Sequence, residues 1–380
     1  MNEKGISKQE VYHLLDNAKK KDVDYSRVLS AMCTPPHEIA IDAHIKFIES
    51  NMGDYGLFLG TRELEMEVIS MMGHLFHATK TFGYISTGGT ESNIQAIRSM
   101  RNLHGSKNPN IIVSDSAHFS FDKIEDMLKI EIRKAELNSD FKVDINSMEN
   151  LIDDDTVAIV GIAGSTEFGQ IDPIEEISKL ALKNNIPLHV DAAFGGFVIP
   201  FLDGEYKFDF SLNGVSSISI DPHKMGLSTI PSGILLFKDL KYIKTLQIDT
   251  PYLTIDTQYS LTGTRSGAAV AATYATMKLL GKNGYKEIVD YCMDITQRLV
   301  IGAKEIGIEP LIDPIMNVVV LDVDNADFVQ KKLDLDFGWK VSITRNPKAL
   351  RLVLMPHTTI ECIDAFLLDL KKIVDDIRKN

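Results

Sequence analysis

This sequence predicts an α/β fold with a mostly parallel central sheet and a smaller α+β C-terminal domain. Three observations carry that prediction. Short runs rich in β-branched residues alternate with helical stretches from residue 82 to about residue 220. The chemically distinctive motifs fall at the carboxyl ends of those runs, where open α/β sheets bind ligands. From about residue 285 the alternation gives way to a long helix and a different order of elements.

Residues 7–30 read as an amphipathic helix with Lys19, Lys20 and Lys21 on its solvent face. Met32-Cys-Thr-Pro-Pro-His37 is a stiff connector, because its two prolines fix φ and break helix. Helices over 38–50 and 62–79 flank a glycine-punctuated loop, Asn51 to Gly60. Paired strands and helices follow: Phe82–Ser86 with 90–104, Ile111–Ser114 with 119–128, Val157–Ile162 with 173–185, then strands Leu188–Val190 and Ser217–Ile220. The small residues of 265–282 suit a closely packed helix. A helix over 285–306, strands Val318–Val323, Trp339–Thr344 and Ala349–Leu354, and helices over 325–333 and 359–378 complete the chain. The expected units are an N-terminal helical segment (1–50), a large domain (51–284) and a small C-terminal domain (285–380).

The composition excludes several classes. With 380 residues, 44% hydrophobic and 24% charged, the chain is an ordinary globular one. Its net charge of −13 argues against a nucleic-acid partner. No apolar run approaches the roughly 20 residues of a membrane span, and the start lacks the apolar core of a secretory signal. Cys33, Cys292 and Cys362 are far apart, which argues against a zinc site or disulfide framework and fits a reducing cytoplasm.

Lys224, in Asp221-Pro-His-Lys, is the most informative residue. It follows Asp191, at the end of an apolar strand, by 33 positions. An acid there is costly without a cationic partner. A lysine amine that forms a Schiff base with pyridoxal phosphate, and a carboxylate that pairs with the protonated pyridine nitrogen, make such a set. Capping of the turn after Asp191 is the plainer alternative. Gly88, Gly89 and Thr90 open a helix after a strand and suit a phosphate, or simply a helix cap. His118 follows the next strand and can lie flat on a pyridine ring, or be an ordinary surface histidine. Thr166 can bond the cofactor ring or substrate, and Ala193 is small enough to lie beneath a ring. His223 can donate to the phosphate. Thr262-Gly-Thr-Arg-Ser-Gly267 is a second glycine-rich turn, whose Arg265 can cap a phosphate or face solvent. Arg351, within a strand, suits bidentate capture of a carboxylate, or is a solvated strand residue.

The order of these motifs resembles the group II pyridoxal-phosphate-dependent amino-acid decarboxylases of the aspartate-aminotransferase fold type, most closely the archaeal L-tyrosine/L-aspartate decarboxylases. The stretches Gly53 to Glu65, Thr87 to Asn93, His189 to Gly196, Asp221 to Lys224 and Leu261 to Gly267 carry the resemblance, within a match from about Met32 to His357. It implies that Lys224 forms the internal aldimine, Asp191 pairs with the pyridine nitrogen, and His118 stacks on the ring above Ala193. It places Gly89, Thr90 and His223 on the phosphate. Gly263 and Thr264 would reach the phosphate of a neighbouring subunit, so a homodimer with shared active sites is implied. Arg351 would bind the α-carboxylate, and Tyr252 lies near where relatives carry a catalytic tyrosine on a mobile loop.

The implied reaction is loss of CO2 from an L-amino acid. Tyrosine would give tyramine for the methanogenic cofactor methanofuran, and aspartate would give β-alanine for coenzyme A. Cys33, His37, Tyr55, Leu57 and His357 are candidate pocket residues of mixed character, with His37 or His357 meeting a phenol hydroxyl or, if protonated, an acid. A sphingoid-phosphate lyase, a cysteine desulfurase or a tRNA-dependent cysteine synthase would use the same cofactor site. The first usually carries a membrane segment, and the others need a mobile cysteine or a basic surface. A catalytically silent binding protein is at odds with the presence of both Lys224 and Asp191.

Overall fold

The computed structural model describes Met1 and residues 3–379. Seven strands form the central sheet: β1 (Phe82–Ser86), β2 (Asn110–Ser114), β3 (Glu131–Ala135), β4 (Thr156–Ile162), β5 (Leu188–Asp191), β6 (Val215–Ile220) and β7 (Gly233–Phe237). Their order is β1-β7-β6-β5-β4-β2-β3, and only β7 runs antiparallel to its neighbours. The mostly parallel sheet expected from the sequence is therefore present, with two strands beyond those expected. β3 is a charged edge strand, Glu-Ile-Arg-Lys-Ala, without the apolar run that marks its neighbours. β7 is apolar, Gly-Ile-Leu-Leu-Phe, and wedges between β1 and β6.

Both faces of the sheet are covered, as near-continuous apolar strands require. Alternate residues sort to opposite sides. Tyr84, Ile111, Val113, Val157 and Val160 join one core with α4 (Gly89–His104), α5 (Ser120–Leu128) and α8 (Leu240–Lys244). Ile85, Ile112 and Ile159 join the other with α3 (Leu59–Leu75), α7 (Ile174–Lys183) and the first half of α9 (Gly267–Glu305). The remaining helices of this part are α1 (Lys8–Lys19), α2 (Glu38–Lys46) and α6 (Ile145–Asn150). Close backbone approach demands glycine at Gly83, where a Cβ would lie 2.0 Å from the Leu235 carbonyl across the β1–β7 ladder.

A hairpin, β8 (Ile248–Asp249) with β9 (Thr257–Gln258), precedes α9. The two helices expected over 265–282 and 285–306 run as one element. The break survives as a kink at Gly281, whose φ of 55° and ψ of −168° suit glycine. The C-terminal unit holds β10 (Val318–Leu321), β11 (Ser342–Ile343) and β12 (Leu350–Val353) in the order β10-β12-β11, packed by α10 (Ala326–Phe337) and α11 (Ile360–Lys379).

The helix expected over 7–30 stops at Lys19. Asp24 then caps a tight turn by accepting from the Ser26 N–H, and the chain extends. Leu29 pairs with backbone on both sides: its N–H donates to the Lys340 carbonyl at 2.9 Å, and its carbonyl accepts from the Val353 N–H at 2.7 Å. Fully buried, Leu29 belongs to the C-terminal core. Backbone pairing and burial outweigh the helical periodicity here.

Candidate active site

Five strands deliver the site from one edge of the sheet. A cavity of about 290 Å³ lies there, lined by Gly88, Gly89 and Thr90 after β1, His118 after β2, Thr166 after β4, Asp191 and Ala193 at the end of β5, and Asp221, His223 and Lys224 after β6. Parallel strands point their carboxyl ends the same way, so residues over a hundred positions apart meet.

Asp191 is buried and multiply bonded. It accepts from Asn93 Nδ2 at 2.8 Å, from the Ala193 N–H at 3.0 Å and from Ser219 Oγ at 3.3 Å. Asn93 is itself oriented. Its Oδ1 accepts from Ser219 Oγ at 2.7 Å and lies 2.9 Å from His189 Nε2, while the far side of that ring meets Ser217 Oγ at 2.8 Å. Burial pushes His189 well below the usual imidazole range, so it enters this network neutral. In the sequence Asn93 and His189 stand out only as members of motif stretches, and Ser219 only as part of a strand. The signal was the alternation in Ser217-Ile-Ser-Ile220, which puts both serines on one face of β6.

Lys224 Nζ stands 3.0 Å from Asp221 Oδ2. Burial works to lower its pKa, but Asp221 and Asp191 outweigh that and raise it. In this state Lys224 is a paired ammonium rather than the readily discharged amine that burial alone would give. His118 moves the opposite way: burial lowers it despite the pull of Asp191. Its Nδ1 accepts from the Ser120 N–H at 3.2 Å, which fixes the neutral tautomer with the proton on Nε2. Half-buried Cys33 lies within electrostatic reach of Lys224, and burial keeps its thiol raised.

A second cavity of about 270 Å³ adjoins the first and shares His118 and Thr166 with it. Phe119 and Ile343 supply apolar wall, and Arg345 and Arg351 supply charge. Arg351 is 6% exposed. It donates through Nε to the Thr166 carbonyl and through Nη1 to the Ser30 carbonyl and Ser342 Oγ, both at 3.0 Å. Its Nη2 is buried without a partner. Desolvation lowers it to about 10, so it stays cationic near neutral pH. Arg345 pairs with Glu167 at 2.9 Å, clasping the small unit to the turn that bears Thr166.

Other expected residues lie elsewhere. Tyr252 is 86% exposed in the turn of the β8–β9 hairpin. His37 caps α2, its Nδ1 accepting from the Ile39 N–H, and does not line the cavity. Gly263 and Thr264 are exposed and outside the cavity of their own chain. His357 bonds Thr34 Oγ1 at 2.9 Å and packs its ring at a tilt against Tyr25, so it fastens the N-terminal segment. Arg265 is buried rather than free for a phosphate: it pairs with Glu65 at 2.6 Å and donates to the carbonyls of Ile85 and Met52.

The donor set fits pyridoxal phosphate. A lysine, a bonded carboxylate and a helix N-terminus share one cavity, and a Cβ on Gly89 would crowd both Ala193 and Asp221, at 3.1 Å each. The description "Pyridoxal-dependent decarboxylase conserved domain" matches residues 37–319. The chain belongs to this family. It is 56% identical to a probable L-tyrosine/L-aspartate decarboxylase of Methanosarcina acetivorans, over 99% of this chain and 100% of the relative. It is 51% identical to a probable L-aspartate decarboxylase of Archaeoglobus fulgidus, over 94% and 97%. Among solved structures, a sphingosine-1-phosphate lyase of Burkholderia pseudomallei superposes with a TM-score of 0.91 at 25% identity, covering 99% of this chain and 92% of that one. A glutamate decarboxylase of Lactobacillus brevis gives 0.91 at 22%, covering 99% and 94%. The chain is thus a pyridoxal-phosphate-dependent carboxy-lyase of the fold these enzymes share.

Proposed function

We propose that the chain decarboxylates L-tyrosine to tyramine, L-aspartate to β-alanine, or both. The observation that carries this reading is the near-full-length likeness to relatives named for those two substrates. The mixed second cavity supports it, since Phe119 and Ile343 offer apolar wall to an aromatic ring, while Arg345 can meet an acid by sharing or exchanging its Glu167 partner. Tyramine would feed methanofuran synthesis and β-alanine would feed coenzyme A synthesis, in the cytoplasm.

Bound pyridoxal phosphate supplies the electron sink for the bond that breaks at Cα. Lys224 would anchor it, and Asp191, held by its three donors, would present a carboxylate to the ring nitrogen. His118 and Ala193, which line the same cavity, would hold the ring. Gly88, Gly89, Thr90 and His223 hold the phosphate, with Thr166 beside the ring. The free Nη2 of Arg351 takes the α-carboxylate and sets the direction in which CO2 departs. Lys224 and His118 line the space from which a proton can return to Cα. Tyr252 joins them only if its turn belongs to the site of a second subunit. Gly263 and Thr264, exposed on this chain, are assigned to a partner's phosphate in a homodimer.

Purified protein incubated with pyridoxal phosphate and, separately, tyrosine, aspartate, glutamate or cysteine tests this by mass spectrometry of the product. Tyramine or β-alanine is expected. Intact tyrosine and aspartate, or alanine and sulfide from cysteine, would overturn the reaction.

A further inference from the structure

Asp221 lines the cofactor cavity and pairs with Lys224, and the proposed reaction assigns it no part. It is 3% exposed, and its backbone N–H donates to the Ala193 carbonyl at 3.1 Å. Its Oδ2 stands 3.0 Å from Lys224 Nζ and 3.8 Å from His223 Nε2, while Oδ1 is buried with no hydrogen-bond partner. A Cβ on Gly89 would meet Oδ2 at 3.1 Å and Oδ1 at 3.4 Å. The carboxylate therefore stands against the turn that opens α4, where a helix N-terminus attracts an anion. The place suited to a phosphate already holds an anion of the protein.

The surrounding charge does not offset a second anion. Asp191 and Glu91 line the same cavity, and Lys224 is the single lysine or arginine among the lining residues. Glu91 is bonded to Tyr84 and Thr87, and Asp191 to Asn93, Ala193 and Ser219. His118 and His223 are the other titratable groups of the lining, and Cys33 approaches from the N-terminal connector.

We propose that Asp221 is a charge gate on cofactor capture: its carboxylate opposes a phosphate in the Gly88–Thr90 cradle, and the Lys224 ammonium that it holds offsets that opposition only in part. This rests on pyridoxal phosphate being the cofactor. Like charges a few ångströms apart in a poorly hydrated cavity repel strongly. A phosphate-bearing ligand thus enters as a second anion beside Asp221, with Lys224 as the one lysine or arginine of the lining to offset both. Asp221→Asn keeps the shape and the backbone hydrogen bond but removes the charge.

The probe is pyridoxine 5′-phosphate, which has the ring and phosphate but an alcohol in place of the aldehyde, so it forms no bond with Lys224. Its affinity is measured by calorimetry on cofactor-free wild type, D221N, K224A and the D221N/K224A double variant. D221N is expected to bind about 10-fold or more tighter than wild type. K224A is expected to bind more weakly than wild type, and the double variant to recover that loss. Pyridoxine without phosphate should not distinguish D221N from wild type. Equal or weaker binding by D221N, or the same gain for unphosphorylated pyridoxine, overturns the gate. A merely structural Asp221 would weaken binding on substitution, so a gain separates the two roles. If the probe binds none of the four proteins the gate is overturned, and the visible absorption of wild type mixed with pyridoxal phosphate then shows whether the cofactor assignment stands.

Discussion

At the scale of single residues, the site depends on partners that hold its chemical groups at defined orientations. Lys224→Ala removes the amine proposed to anchor the cofactor. The expected result is loss of the visible absorption of bound cofactor and a fall in turnover of at least about 1,000-fold; near-normal turnover would sink the assignment. Asp191→Ala should cost at least about 100-fold while the protein still takes up cofactor, because a neutral pyridine is a poor sink. His189 gives a test that does not involve activity. Its folded pKa is depressed by burial, whereas an unfolded histidine titrates near 6.5. As the pH falls below that value, the unfolded chain binds a proton that the folded chain refuses. Stability present above about pH 6.5 is therefore lost on acidification, by up to about 1.4 kcal/mol per pH unit. His189→Gln removes this titration, so urea denaturation midpoints between pH 6.5 and 5 should fall less steeply than in wild type. Identical slopes would show that His189 does not contribute. Lys224, Asp191 and His118 were legible from their positions at strand ends. Asn93, Ser219 and His189 were not, because what orients a carboxylate is a contact in space and leaves no fixed spacing in the chain.

At the scale of elements, the first turn of α4 makes the cofactor site a matter of backbone as much as side chain. Gly89→Ala places a methyl 3.1 Å from both Ala193 and Asp221. The φ at Gly89 carries no demand for glycine, so the variant should fold, with a melting temperature near wild type. Its affinity for pyridoxal phosphate should drop about 10-fold or more, since the cradle loses the space of a methyl group. Unchanged affinity would mean that the phosphate sits elsewhere. The strands that were legible, β1, β2, β4, β5 and β6, are the apolar ones that run into motifs. β3 escaped because an edge strand needs little apolar character. β7 carried an apolar signal, but only pairing places it between β1 and β6.

At the scale of the whole molecule, the surface of one chain is unusually apolar on its N-terminal side. Every residue of α1 is unburied, with Val11, Tyr12, Leu14 and Leu15 each at least 42% exposed, and Ile45 and Ile48 on or beside α2 are more exposed still. Exposed apolar residues grouped on one helix, as on α1, are a mark of interfaces. In solution the protein is expected to run at twice the 42.3 kDa chain mass by light scattering; a monomer with full activity would refute the shared site. The sequence by itself determined the fold class, the cofactor and the placement of Lys224 and Asp191 at strand ends, because strand-end motifs and their order are local properties of the chain. Tertiary structure alone decided the rest. It sent Leu29 into the C-terminal core, tied Arg265 to Glu65, left one nitrogen of Arg351 free and set Asp221 against Lys224. Those outcomes turn on which partner each polar group finds once water is excluded, and that is settled only when distant segments pack.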